Sequence, residues 1–144
     1  MIDFTITTAL NSSPREVFAY ITDPDLLPSW QTNTISSVLE GPRTLAAGAQ
    51  LREVHRAPGG KTIESLVEVA EYEPDRVFGL RVIEGTPIHL RILLEPAAHG
   101  TVMAFRAYGS LTGAVRIIEP LVGRMLQRQF RHDCATLQRV VGNE

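Results

Sequence analysis

Apolar and polar residues alternate along the start of the chain, with Ile2, Phe4 and Ile6 separated by Asp3, Thr5 and Thr7. One face of such a segment is oily and the other wet, which predicts a half-buried β-strand over 2–7. The alternation gives way at Ser12-Ser13-Pro14-Arg15-Glu16 to helix-start chemistry. Ser12 or Ser13 can cap a free backbone N–H, Pro14 suits a first-turn position, and Glu16 can complete a capping box, so a short helix follows through Ile21. A second start, Asp23-Pro24, interrupts the chain and opens another short helical segment ending near Pro28. It leaves Trp30, the only tryptophan, at its edge, and the pair reads as a hinge-like lid rather than one long packed helix.

After Trp30 come strand-like runs rich in Val, Ile, Leu and Thr, at 32–39, 50–56, 62–72, 76–83, 88–95 and 101–110. They are separated by Gly41-Pro42, Pro58-Gly59-Gly60, Pro74-Asp75, Gly85-Thr86-Pro87 and His99-Gly100, the spacing of an antiparallel meander. The last third changes period. Between about 115 and 141, Ile118, Leu121, Val122, Met125, Leu126, Phe130, Cys134, Leu137 and Val141 recur at three- and four-residue steps, which predicts one long amphipathic helix. Pro120 marks either its first turn or a kink. A helix of ~25 residues is ~37 Å long, longer than any strand here, so a curved sheet must wrap around it. Curvature leaves space between the concave face and the helix, and a pocket there is the natural functional site.

A chain of 144 residues fits one domain, 1–144, with a sizeable core. The net charge is -2 and the fourteen basic residues are scattered along the sequence, so nothing resembles a nucleic-acid footprint and that partner is set aside. No basic and apolar leader and no run of ~20 apolar residues is present, so the expectation is a soluble, cytoplasmic protein without a membrane span. Cys134 is alone and reads as a small buried apolar residue.

The order strand, two short helices, antiparallel strands and long closing helix resembles the START/Bet v 1-like (SRPBCC) superfamily, more narrowly its polyketide cyclase/dehydrase-type members. The similarity is carried by Pro14-Arg15-Glu16-Val17-Phe18, Asp23-Pro24, Trp30, Tyr72-Glu73-Pro74, Gly100-Thr101 and the closing helix. It covers the whole chain and implies an α+β helix-grip fold, a curved antiparallel β-sheet wrapped around the C-terminal α-helix. It also implies a deep apolar cavity for a polyketide, lipid, sterol or aromatic molecule. The superfamily includes oxygenase domains with a non-haem iron held by two His and a carboxylate. Here His55, His89, His99 and His132 fall on different predicted elements without helical spacing, so no metal and no cofactor is expected.

Candidate chemistry follows from side-chain type. Trp30 offers a flat face and an N–H at a ligand entrance, or else caps the core. Phe18, Phe78, Phe105, Tyr72, Met103 and Met125 are candidate cavity wall, the methionines because a thioether adapts to varied shapes. His89 and Arg91 share one strand face, as do Arg106 and Tyr108; pointing inward they could polarise or protonate a ligand carbonyl, and pointing outward they form a solvated surface. Gln129 and Asp133 fall within the apolar sector of the long helix, where a carboxylate needs a partner, as a bridge to an arginine or as a catalytic base. Glu53 and Glu64 on strands are open in the same way. Gly109-Ser110-Leu111-Thr112-Gly113 lacks the spacing of a nucleophile elbow, and no phosphate loop is present.

Three functions fit these readings. The first is a carrier or sensor of a small hydrophobic ligand, with a homodimer possible. The second is a cofactor-independent polyketide cyclase or dehydratase, and the third a protein-interaction module.

Overall fold

The structure, a computed structural model, describes residues 1–41, 44–57 and 59–141. The turn signals at Pro42 and Pro58 lie outside the described residues. Seven strands, β1 (Ile2–Leu10), β2 (Thr34–Leu39), β3 (Gln50–Arg56), β4 (Thr62–Glu73), β5 (Val77–Glu84), β6 (Ile88–Ala97) and β7 (Gly100–Gly109), form one antiparallel sheet ordered β1-β7-β6-β5-β4-β3-β2. Strands β2 to β7 are the meander that the turn spacing predicted. β1 joins the far edge, where Ile2 faces Gly109 and Leu10 faces Thr101. Two short helices, α1 (Pro14–Ile21) and α2 (Leu27–Trp30), with a 3-10 turn at Pro24–Leu26 between them, carry the chain from that edge to the other. A second 3-10 turn, Gly113–Ile118, leads into the long helix α3 (Glu119–Val140).

Side-chain caps form at Ser13 and Asp23. Ser13 Oγ accepts from the Glu16 backbone N–H at 3.2 Å and its hydroxyl donates to Glu16 Oε1 at 3.0 Å. Ser12 is freed for another task, donating to the Val141 carbonyl at 3.1 Å and tying the start of α1 to the end of α3. Asp23 accepts from the Asp25 N–H at 3.0 Å, and Pro120 stands in the first turn of α3, not at a kink. At the β6–β7 turn Gly100 has φ +138°, and a Cβ there would collide with the Leu10 carbonyl, so only glycine lets this turn close against the end of β1. The sheet bends where register shifts interrupt the β2–β3 and β4–β5 ladders.

Inside, Phe18, Tyr72 and Phe78 meet edge to face, with Phe18–Tyr72 ring centroids 5.2 Å apart. A second aromatic run passes from Trp30 to Phe105 to Phe130 to Phe4. The two halves of α3 differ. Cys134, Leu137 and, just beyond the helix, Val141 are buried, whereas Leu121 is 66% exposed and Met125 46% exposed. The apolar stripe read as one covered face is covered only in its second half. The physical reason is orientation: at ~100° per residue Leu121 and Met125 lie ~160° and ~120° around the helix from Leu137, on the outer side of α3, which packs on β1 and α2. Among the described residues no helix is long and apolar enough to cross a membrane.

Candidate functional site

A chamber of about 840 Å³ lies between the first half of α3 and strands β3 to β6. Alternation on the strands turns Val67, Leu80, Val82, Ile88 and Leu90 toward it, and α3 contributes Val122, Met125, Leu126 and Phe130. Its exposed rim includes Arg56, Gly59, Gly60, Arg128 and His132, so the space opens to solvent beside the helix. Both the volume and the mostly apolar lining suit a small molecule, for which pockets are roughly 300–1,000 Å³.

One part of the wall is polar. On β3, Glu53 and His55 are two residues apart and share a face. Thr34 and Ser37 on β2 are three apart and would face opposite ways in a regular strand. The register shift between Thr34 and Ser36 brings both to the same side, with Thr34 opposite His55 and Ser37 opposite Glu53. The result is a continuous hydrogen-bonded chain. Ser37 Oγ donates to Glu53 Oε2 at 3.1 Å, and Glu53 Oε1 lies 3.3 Å from His55 Nε2. His55 Nδ1 lies 3.2 Å from Thr34 Oγ1, which is 3.1 Å from Gln31 Oε1 at the end of α2. Glu53 is 5% exposed, so its oxygens are met by these partners rather than by water.

Proton counting gives this chain two complete arrangements. If both ring nitrogens of His55 carry protons, Thr34 donates to the Gln31 carbonyl oxygen and Gln31 has its NH₂ left for a guest. If Nδ1 is bare, Thr34 donates to it and the Gln31 amide turns to donate to Thr34, leaving its carbonyl for a guest. Either arrangement keeps every internal hydrogen bond of the cluster.

The four residues nominated for catalysis are brought together, but on the opposite face of the sheet. Because Ile88 and Leu90 line the chamber, His89 and Arg91 between and beyond them point away from it; likewise Phe105 and Ala107 are buried and Arg106 and Tyr108 turn outward. His89 Nδ1 accepts from the Val82 N–H at 3.1 Å, and its ring lies 5.4 Å from that of Tyr108. Arg91 Nε donates to Glu71 at 2.8 Å, and Arg106 grips Asp3 through two bonds of 2.9 and 2.8 Å while lying 4.4 Å over the Tyr108 ring. Each pair favours its charged forms: the hydrogen bond from Arg106 lowers the Asp3 pKa, and the carboxylates raise those of Arg91 and Arg106. This set braces the outer surface and does not line the chamber.

Of the residues nominated for ligand contact, Met125 and Gln129 line the chamber. Phe18, Tyr72, Phe78, Trp30, Met103 and Phe105 do not; they fill the core beside it. Trp30, read as a lid-edge residue, is 1% exposed and its Nε1 has no hydrogen-bond partner among the described residues. Asp133 is held by Thr32. It is fully buried, with Oδ1 accepting from the Thr32 N–H at 3.2 Å and hydroxyl at 3.1 Å, and burial pushes its pKa up against the pull of these bonds. Glu64 is exposed. Burial pushes the Cys134 thiol up to about 12, which makes it unreactive in the folded chain. Among the described residues no group of His, Cys, Asp and Glu could hold a metal ion.

Sequence reading left Gln31, Thr34 and His55 out of the site and Glu53 undecided. The signal available was an acid and a histidine two apart on one strand, but the bulge that assembles their partners leaves no mark in composition.

The chain matches, over residues 1–142, the model of the family described as polyketide cyclase / dehydrase and lipid transport. None of the curated proteins is significantly similar in sequence. Among solved structures, TTHA0849 from Thermus thermophilus is similar with a TM-score of 0.81 and 18% identity, over 96% of each chain. The di-domain ARO/CYC StfQ from the steffimycin biosynthetic pathway gives 0.80 and 12% identity over 98% of this chain and 50% of its own. Ara h 8.0201 gives 0.77 and 14% identity over 99% of this chain and 98% of its own. At these identities the likeness is one of fold.

Proposed function

We propose, from the premise that this chain belongs to the polyketide cyclase/dehydrase and lipid-transport family, that it holds one small hydrophobic molecule beneath the first half of α3 as a carrier or sensor. The observation that carries the reading is the chamber's division into a broad apolar wall and a single polar cluster. An apolar guest gains roughly 25 cal/mol for each Å² it removes from water, while one carbonyl or hydroxyl at its end finds the Gln31 amide as donor or acceptor. A guest polar at several points would have to leave groups unpaired against Val67, Val82 and Leu90.

The test is a titration of the purified protein with an environment-sensitive apolar dye, repeated on Leu90→Trp, which fills the chamber. Saturable one-to-one binding to the parent and at least tenfold weaker binding to the variant is the expected result. No saturable binding by a folded parent, or unchanged binding by the variant, contradicts it.

A second reading, a polyketide cyclase or dehydratase, is favoured by the Glu53–His55 pair. The proton leaving a carbon beside a ligand carbonyl would pass to the Thr34 hydroxyl as that hydroxyl gives its own to His55 Nδ1, Glu53 would stabilise the resulting imidazolium at Nε2, and the Gln31 NH₂ would donate to the enolate oxygen. Glu53→Gln separates the readings: in a carrier it alters dye affinity by a few-fold, whereas in an enzyme it removes turnover of a poly-ketone substrate by roughly two orders of magnitude or more.

A further inference from the structure

Chamber binding leaves the outer side of α3 unexplained. In the eleven residues from Val115 to Met125, five large apolar side chains are exposed, Ile117 by 86%. Monomeric proteins rarely display so many together without a partner. The charges on this element are equally one-sided. Residues 113–141 contain five arginines and two carboxylates, Glu119 and Asp133, and both carboxylates are buried. Five arginines on or beside the sheet behave differently: Arg52, Arg76, Arg81, Arg91 and Arg106 each lie within ion-pair distance of a carboxylate. Arg124, Arg128 and Arg131 have no such partner among the described residues. Among the basic residues that look scattered in sequence, the fold thus neutralises those five and leaves Arg124, Arg128 and Arg131 available.

Helix geometry puts the two features on one surface. At ~100° per residue, Leu121, Met125 and Arg128 fall within a sector of ~60°, with Arg124 and Arg131 beside it. Met125 and Arg128 also line the chamber, so this surface is continuous with the chamber's rim.

We propose that this face docks on an anionic lipid bilayer. Ile117, Leu121 and Met125 enter the interface, the arginines meet lipid phosphates, and the rim of the chamber faces the layer from which an oily guest can be exchanged without crossing water. The apolar members favour lipid over nucleic acid, whose phosphates would satisfy the arginines and leave the apolar side chains wet. They favour lipid over an acidic protein because Met125 and Arg128 also line the chamber's rim, so an oily guest held in the apposed layer meets the opening directly. Peripheral docking of this kind needs no membrane-spanning helix.

The test is co-sedimentation with vesicles of phosphatidylcholine containing about 30% phosphatidylglycerol, against pure phosphatidylcholine, at low salt. At least tenfold preference for the anionic vesicles is expected, with loss of that preference in high salt. An arginine near an anionic surface contributes about fivefold, so Arg124→Glu with Arg131→Glu should weaken binding well over tenfold. Leu121→Ser should weaken it several-fold with an unchanged circular dichroism spectrum. Equal binding to both vesicles, or folded variants that bind like the parent, overturns the proposal. So does a concentration-dependent dimer abolished by Leu121→Ser, which would assign the face to a second copy. Dye binding in the absence of vesicles is read separately: dye bound but vesicles ignored overturns the docking face alone and leaves the chamber reading standing.

Discussion

The two halves of α3 have the same hydrophobic period and opposite fates. In the second half Leu137 is fully buried, Cys134 is closed off from solvent, and Asp133 is buried with it and bonded to Thr32. In the first half Leu121 and Met125 emerge into solvent while Val122, Leu126 and Phe130 roof a chamber. An amphipathic period therefore marks a face able to be covered, and whether it is covered depends on how closely the sheet and α2 approach it. Where the sheet and α2 close on the helix, the molecule gains stability; where they stop short, it gains a space for a guest.

The strongest way to break this comparison is to truncate an apolar side chain in each half. Leu137→Ala should cost about 2–5 kcal/mol in chemical denaturation, the range for a cavity opened in a close-packed core. Leu121→Ala should stay within about 0.5 kcal/mol, as for exposed positions generally. Equal losses would mean that both halves are gripped alike. Next in size is Val122→Trp, which places bulk into the chamber from the helix side. Dye affinity should fall at least tenfold, or about 1.4 kcal/mol, with the denaturation midpoint little changed.

A smaller effect comes from Asp133. Because burial raises its pKa in the folded chain, the folded state holds the proton more firmly than the unfolded state does. Its contribution to stability is then greatest at pH below the ordinary carboxylate range and declines as pH rises through that range toward the folded value. Asp133→Asn keeps an oxygen for Thr32 and should remove that decline, leaving the variant at neutral pH at least as stable as the parent, within about 1 kcal/mol. A steeper decline in the variant would contradict the assignment. Last, Cys134 should label with a thiol reagent at pH 8 only as fast as the protein opens, while the same chain in denaturant labels at once.

Local chemistry made the elements legible in the sequence. The capping pattern at Ser13 and Glu16, the turn at Pro74-Asp75 and the change of period before Leu121 each predict structure within a few neighbours, and each holds. Residues whose role depends on distant partners were harder to read. Trp30 has the same side chain at an entrance or in a core, and packing on Phe105, seventy-five positions away, decides between them. His89 and Arg91 could face either way until the parity of β6 was known, and Thr34 and Ser37 face the same way only because of a bulge. The polar cluster was hidden for that reason, and Arg124, Arg128 and Arg131 looked ordinary because their distinction lies in having no carboxylate within ion-pair distance among the described residues.

The most direct test of the central claim is amide hydrogen exchange along α3 with and without a saturating apolar dye. A guest in the chamber should slow exchange over residues 119–130 and leave 131–140, already closed by packing, unchanged. Slowing spread evenly along the helix, or none while the dye is bound, would contradict the account.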